Sequence, residues 1–187
     1  MASANLNGKL FSYKIKYTEK EGITNPGNAL FQGKDVKAKF NGNISEVDWR
    51  SVEEIGVNPA MVPKRYGYSY DNLDRMVAAY YQQPGNPYSQ ENIEAADYDL
   101  NGNIKGIYRT ALAEYGTGTA TVIDNLEYIY SGQDNKLTSI NDHSNNPTGY
   151  EGGGSTISYD INGNMDKMLD KGINLISYNY LNLAAKL

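Results

Sequence analysis

The segment Asp99-Leu100-Asn101-Gly102-Asn103 returns as Asp160-Ile161-Asn162-Gly163-Asn164, each time directly after a tyrosine and directly before Ile104 or Met165. A third copy, Phe40-Asn41-Gly42-Asn43-Ile44, keeps the aromatic, the Asn-Gly-Asn and the aliphatic residue but lacks the aspartate. Two weaker copies lie between these. Tyr70-Asp71-Asn72-Leu73-Asp74-Arg75-Met76 keeps the Tyr-Asp start, and Tyr130-Ser131-Gly132-Gln133-Asp134-Asn135-Lys136-Leu137 keeps the aromatic, a polar turn and the closing aliphatic. Phe40, Tyr70, Tyr98, Tyr130 and Tyr159 therefore recur roughly every thirty residues, a period at which each unit is one supersecondary element that buries its apolar face by stacking on its neighbours.

The residues before each turn alternate. Tyr13, Ile15 and Tyr17 share one face, as do Tyr66, Tyr68 and Tyr70, then Leu126, Tyr128 and Tyr130, then Ile157 and Tyr159, then Ile176, Tyr178 and Tyr180. A period of two in aromatic and β-branched residues marks a half-buried strand. The Asp-X-Asn-Gly-Asn that follows is turn chemistry, because aspartate bonds amides ahead of it, asparagine tolerates the left-handed region and glycine takes positive φ without strain. The apolar spacing after the turn is looser, which suits a return strand with a bulge or a strong twist. Over Leu73 to Gln82 the residues also tolerate helix, but alignment with the other copies favours strand.

The expected fold is all-β: an array of antiparallel β-hairpins near 9–49, 65–81, 96–109, 126–141 and 156–170, with a partial unit at 175–187. The 17 tyrosines, 19 glycines and 22 asparagines, against 3 phenylalanines and 1 tryptophan, fit short strands joined by tight turns. About twelve strands exceed what an open sheet carries without curling, so a strongly twisted, curled sheet or spiral is expected. Inward-facing tyrosines would give it a partly polar interior. The polar linkers Gly22 to Gly33, Gly56 to Pro63, Gln82 to Gln90, Gly116 to Thr119 and Asn141 to Ser155 are expected as surface loops, the last flexible at Gly152-Gly153-Gly154-Ser155.

A net charge of −5 with scattered lysines and arginines lacks the basic stripe of a nucleic-acid binder. No apolar run is long enough to insert into a membrane, and Met1 to Gly8 does not read as a signal peptide. With no cysteine, neither a disulfide framework nor a thiol nucleophile is available.

Tyr98 to Ile104 and Tyr159 to Met165, supported by Arg65 to Met76 and by the tail Ile176 to Leu183, resemble the tyrosine-aspartate (YD) repeats of Rhs proteins, toxin-complex C components and teneurins. The Gly-Asn turn is similar to that of Rhs repeat-associated proteins of Bacteroidetes. The resemblance covers nearly the whole chain. It implies hairpins that wind into a hollow shell enclosing a C-terminal toxin or effector, and hence a secreted or cell-surface protein whose partners are the rest of a larger polypeptide and its cargo. The chain departs from a complete member of that family. It ends within a repeat at Tyr178 to Leu187 and carries no core segment with self-cleaving aspartates and no effector, so neither autoproteolysis nor toxicity is expected of it.

The resemblance implies structural rather than chemical roles for the repeated residues. The turn residues are Asn41, Gly42, Asn43, Asp71, Asp99, Asn101, Gly102, Asn103, Asp160, Asn162, Gly163 and Asn164. The repeat aromatics are Phe40, Tyr70, Tyr98, Tyr130, Tyr159 and Tyr178. Asp99 to Asn103 superficially matches the start of a calcium loop, but the sixth and twelfth positions are Ile104 and Thr110, and in the Asp160 copy Met165 and Lys171. His143, the one histidine, lies in Asp142-His143-Ser144 with no nucleophile elbow near it. Glu53 and Glu54 read as solvent-facing. No catalytic residue, metal ligand or cofactor is therefore expected. A non-enzymatic scaffold segment is the first reading, and a glycan-binding surface built on exposed tyrosines the second. A hairpin array also exposes strand edges, so edge-mediated self-association is expected.

Overall fold

A computed structural model describes residues 11–21, 23, 25–27, 29–52, 63–82, 90–113, 119–132 and 134–186. The fold is all-β. Eight strands form one antiparallel meander in chain order: β1 (Phe11–Lys16), β2 (Glu46–Ser51), β3 (Lys64–Tyr70), β4 (Met76–Gln82), β5 (Glu94–Tyr98), β6 (Ile104–Leu112), β7 (Ala120–Tyr130) and β8 (Leu137–Asp142). Two further hairpins make two-stranded sheets, β9 (Ile157–Tyr159) with β10 (Met165–Met168) and β11 (Ser177–Tyr178) with β12 (Ala184–Lys186). The helix-tolerant stretch after Leu73 is strand, paired with β3 from Arg65↔Gln82 to Tyr70↔Met76.

The twelve strands do not form the continuous curled sheet expected from their number. The large sheet is open, with β1 and β8 at its two ends. Eight strands fall within what an open sheet holds, and the last two hairpins, built on strands of two to four residues, pair only within themselves. In four of the hairpins the looser spacing after the turn is a bulge. The register slips between Ser69 and Tyr70, between Ile129 and Tyr130, between Met165 and Lys167, and between Ser177 and Tyr178. The chain divides into two compact units, one of Met1–Ala95 with Thr110–Thr121 and the other of Ala96–Arg109 with Val122–Leu187.

In the first unit, the long connection from β1 to β2 is not a surface loop. It crosses one face of the sheet as a strap and supplies the core. Phe31, on a short 3-10 turn (Ala29–Phe31), is 1% exposed and meets the Tyr80 ring edge-on at 5.5 Å between centroids. The Tyr80 hydroxyl donates to the Lys34 carbonyl at 2.8 Å. Gly67 lets the strap come close, because a Cβ there would sit 2.5 Å from Ile23 Cδ1 and 2.9 Å from Val36 Cγ2.

The strap also covers charge. Lys16 and Glu46 are 2% and 0% exposed, and Asp48 is buried beside them. Lys16 Nζ reaches Asp48 at 2.6 Å, Glu21 at 2.9 Å and Glu46 at 3.3 Å, while Arg65 forks onto Asp48 through Nε at 2.7 Å and Nη2 at 3.0 Å and also pairs with Glu21. Burial opposes ionisation of Asp48, but the bonds from Arg65 and Lys16 outweigh it and hold the carboxyl below its usual range. Burial likewise pulls Lys16 down, and its bonds to Asp48 and Glu21 leave it above the ordinary lysine range.

In the second unit, the loop expected after β8 lies at the surface, its residues exposed or half-buried, and runs back along the sheet as a second strap. β7 runs on beyond β8, and the loop bonds to this overhang: His143 N–H donates to the Asn125 carbonyl, Ser144 Oγ to that of Ile123 and Asn146 Nδ2 to that of Val122. Fully buried Asp124 accepts the Tyr150 N–H at 2.7 Å and Arg109 Nε at 2.6 Å. Within the glycine run, Gly154 N–H donates to the Ile140 carbonyl and Ser155 N–H to Asp170. Most of the expected linkers at 56–63, 82–90 and 116–119 lies outside the described residues.

Candidate functional site

Each Asp-X-Asn-Gly-Asn closes as a five-residue hairpin turn. The Asp99 N–H donates to the Asn103 carbonyl and the Gly102 N–H to that of Asp99; Asp160 and Asp71 repeat the same pair of bonds with Asn164 and Gly163, and with Arg75 and Asp74. The opening carboxylate fills the turn's interior. Asp99 Oδ1 accepts the N–H groups of Asn101 and Asn103 at 2.9 and 2.8 Å, and Oδ2 accepts Asn103 Nδ2 at 2.8 Å. Asp160 does the same with Asn162 and Asn164, and Asp71 with Leu73 and Arg75. The Asn103 side chain is the main cause holding the Asp99 carboxyl below its usual range, and Asn164 does the same for Asp160. The turn's own N–H groups and its closing asparagine thus occupy the carboxylate and hold the hairpin bend.

The tail carries a sixth turn, Asn179 to Leu183, that opens with asparagine. Asn179 Oδ1 accepts the N–H groups of Leu181 and Leu183 just as the aspartates do. The fourth slot is left-handed throughout these turns, with φ of 60° at Asp74, 90° at Gly102, 86° at Gly163 and 57° at Asn182. Glycine takes that conformation freely, whereas aspartate and asparagine pay a steric cost there.

Neighbouring turns explain why two of these slots are not glycine. Asn43 Nδ2 donates to Asp74 Oδ1 at 3.4 Å, beside Lys39 Nζ at 2.8 Å. Asn101 and Asn103 both donate to Asn135 Oδ1, and Asn162 and Asn164 both donate to Asn182 Oδ1. The turns therefore alternate. A donor turn with an Asn-Gly-Asn tip hands side-chain amides to an acceptor turn with Asp or Asn just before its closing residue. The sequence displayed this alternation as Gly42, Asp74, Gly102, Asn135, Gly163 and Asn182, and motif reasoning missed it because it sought identical copies.

The repeat aromatics tie successive hairpins together. The hydroxyl of Tyr70 donates to the Ile44 carbonyl at 2.9 Å, Tyr130 to Ile104 at 3.0 Å, Tyr159 to Leu137 at 2.8 Å and Tyr178 to Met165 at 2.6 Å. In every case the acceptor is the first residue after the preceding turn. The tie persists from β8 to β9, where the sheet ladder has stopped. Lys39 lies over the Tyr70 ring at 5.0 Å and Lys136 over the Tyr159 ring at 5.6 Å. Burial raises the Tyr70, Tyr130 and Tyr159 hydroxyls above the usual phenol range. Phe40 stands apart, exposed and without a hydroxyl to donate.

Away from the turns, β1–β3 present an open aromatic face. Phe11, Tyr13, Ile15, Val47, Trp49, Tyr66 and Tyr68 line a groove of about 480 Å³. The ring set continues through Tyr81, 5.7 Å from Trp49 and 6.4 Å from Tyr66. The alternation on β1 thus turns its aromatic residues outward, because the charged face beneath the strap is the buried one.

His143 Nε2 lies 3.2 Å from Glu127, whereas Ser144 Oγ donates to Asp142 at 2.8 Å, so the Asp-His-Ser string does not assemble as a relay. Among the described residues no three His, Cys, Asp or Glu side chains gather to hold a metal ion, and no helix is long and apolar enough to cross a membrane. Glu53 and Glu54 lie outside the described residues. In comparisons with known proteins, no family model and no curated protein matches the chain.

Proposed function

We propose that the chain is a non-catalytic scaffold: a segment of a YD-type repeat array, of the kind that in a larger secreted or surface polypeptide builds a shell around a C-terminal effector. The observation that carries this reading is the tyrosine tie, in which Tyr70, Tyr130, Tyr159 and Tyr178 each donate to the carbonyl of the first residue after the preceding turn. Such nearest-neighbour fastening is what a repeat array needs and a binding cleft does not. The polar side chains of the Asp99 and Asp160 turns bond within the turn itself and to the adjoining turn.

The alternative, a carbohydrate-binding surface, has the open aromatic face to work with. That face offers phenol hydroxyls and one indole N–H as its polar groups, few for a polyhydroxylated ligand. The scaffold reading is the better supported.

The coding sequence on either side of the chain tests it. Further Tyr-Asp copies in the same register, followed by an unrelated C-terminal segment that resists limited proteolysis in the intact polypeptide, are the expected result. Absence of any neighbouring repeat, or a downstream segment digested as fast as when free, would remove the shell from the proposal.

A further inference from the structure

We propose that the aromatic face of β1–β3 is a self-association surface, on which a second copy of this chain docks face to face about a two-fold axis. The first unit is built with its burial inverted. The strap covers the side of the sheet bearing Lys16, Glu46, Asp48 and Arg65, and the side bearing Phe11, Tyr13 and Ile15 is left 56%, 65% and 39% exposed.

Area favours a second copy. With about 150–250 Å² per aromatic side chain, these exposures and the half-buried rings behind them leave roughly 500 Å² of apolar surface on each copy. Two such faces bury about 1,000 Å², the size at which a specific interface is reached. A patch of this extent is of the size that is often functional on a soluble protein.

Charge favours it as well. A two-fold contact sets a surface against itself, so any net charge at its centre repels. The chain as a whole carries −5, yet every residue lining the groove is uncharged. The face is a flat sheet surface, and two of them pack as the layers of a sandwich do, about 10 Å apart.

Sedimentation and light scattering of the full chain, from about 1 μM to about 100 μM, the range expected of an interface of this size, read the association directly. Trp49 is the only tryptophan and lies in the groove, so its emission reports the same event independently. The expected result is a monomer–dimer equilibrium in which Trp49 emission moves to shorter wavelength as the dimer forms. Tyr13→Glu weakens it at least tenfold, as does Phe11→Glu if the first variant misfolds by circular dichroism, and Leu100→Glu, on a fully exposed turn residue that does not line the groove, leaves it unchanged. A chain that stays monomeric over the whole range overturns the proposal. So does association that survives both groove variants, which is the mark of strand-edge pairing, or a monomer that binds glycans on an array through Tyr13.

Discussion

The hydroxyl of Tyr130 donates at 3.0 Å to the backbone carbonyl of Ile104, the residue with which the preceding turn hands over to its return strand. Removing that hydroxyl leaves the ring in place and the carbonyl without its phenol partner. Tyr130→Phe is expected to cost about 0.5–1.5 kcal/mol, with Tyr70→Phe and Tyr159→Phe costing similar amounts in urea denaturation. Phe40→Tyr is expected to change stability little, since that ring is exposed. A Tyr130→Phe chain as stable as the parent would show that ring packing alone joins the hairpins.

Asp71, Asp99 and Asp160 open their turns with an oxygen that accepts two N–H groups, which a carboxamide also supplies, as Asn179 shows. Asp99→Ala is therefore expected to lower the melting temperature more than Asp99→Asn. The Asp99 carboxyl is held below its usual range, so its ionised form contributes stability above the unfolded carboxylate pKa and loses that contribution as pH falls through the folded value. Melting curves of parent and Asp99→Asn should accordingly converge in acid and separate at neutral pH.

Asp74 holds a left-handed backbone that glycine would adopt more easily, and it accepts Lys39 and Asn43. Asp74→Gly separates the two effects by sign. A fall in melting temperature is the expected outcome and assigns the larger share to the acceptor; a rise would assign it to backbone strain.

Lys16 neutralises three carboxylates beneath the first strap. Lys16→Met leaves Glu46 and Asp48 buried without it and is expected to cost about 3–5 kcal/mol. Glu21 is held low chiefly by Lys16, and Asp48 is held low against its burial by Arg65 and Lys16, so this contribution is present above the unfolded carboxylate pKa and fades as pH drops below it. The raised Lys16 pKa adds a second limit, at alkaline pH above the ordinary lysine value. Chemical denaturation across pH should show a plateau between these limits in the parent and a lower, flatter profile in the variant.

Two glycines differ in what surrounds them. At Gly67 a Cβ meets the movable end of Ile23, and Gly67→Ala is expected to cost about 1–3 kcal/mol. At Gly149 it would strike the Ile123 carbonyl, which is backbone and cannot swing aside. Gly149→Ala is expected to be the more damaging of the two in thermal melts.

The strands and turns were legible because their signals are local: alternation at Tyr66, Tyr68 and Tyr70, and Asp-X-Asn-Gly-Asn at a strand end. The straps were not, since Phe31 and Val36 sit in a polar, glycine-rich stretch whose composition reads as a loop, and only the position of Tyr80 and Gly67 across the sheet makes them core. The same blindness reversed β1. Tyr13 and Ile15 look like the inward residues of an amphipathic strand until Glu46, Asp48 and Arg65 arrive from distant segments to bury Lys16 on the other side. The alternation of donor and acceptor turns was visible letter by letter, but its meaning depends on which turns stand side by side.

That alternation also sets a unit of inheritance. A donor turn and its acceptor, such as Asn162 to Asn164 with Asn182, complete each other's hydrogen bonds, so a gene that gains or loses two hairpins at once keeps every tip amide matched. Gain or loss of a single hairpin places two tips of the same kind together, which gives such an array a grain of two along which it can grow.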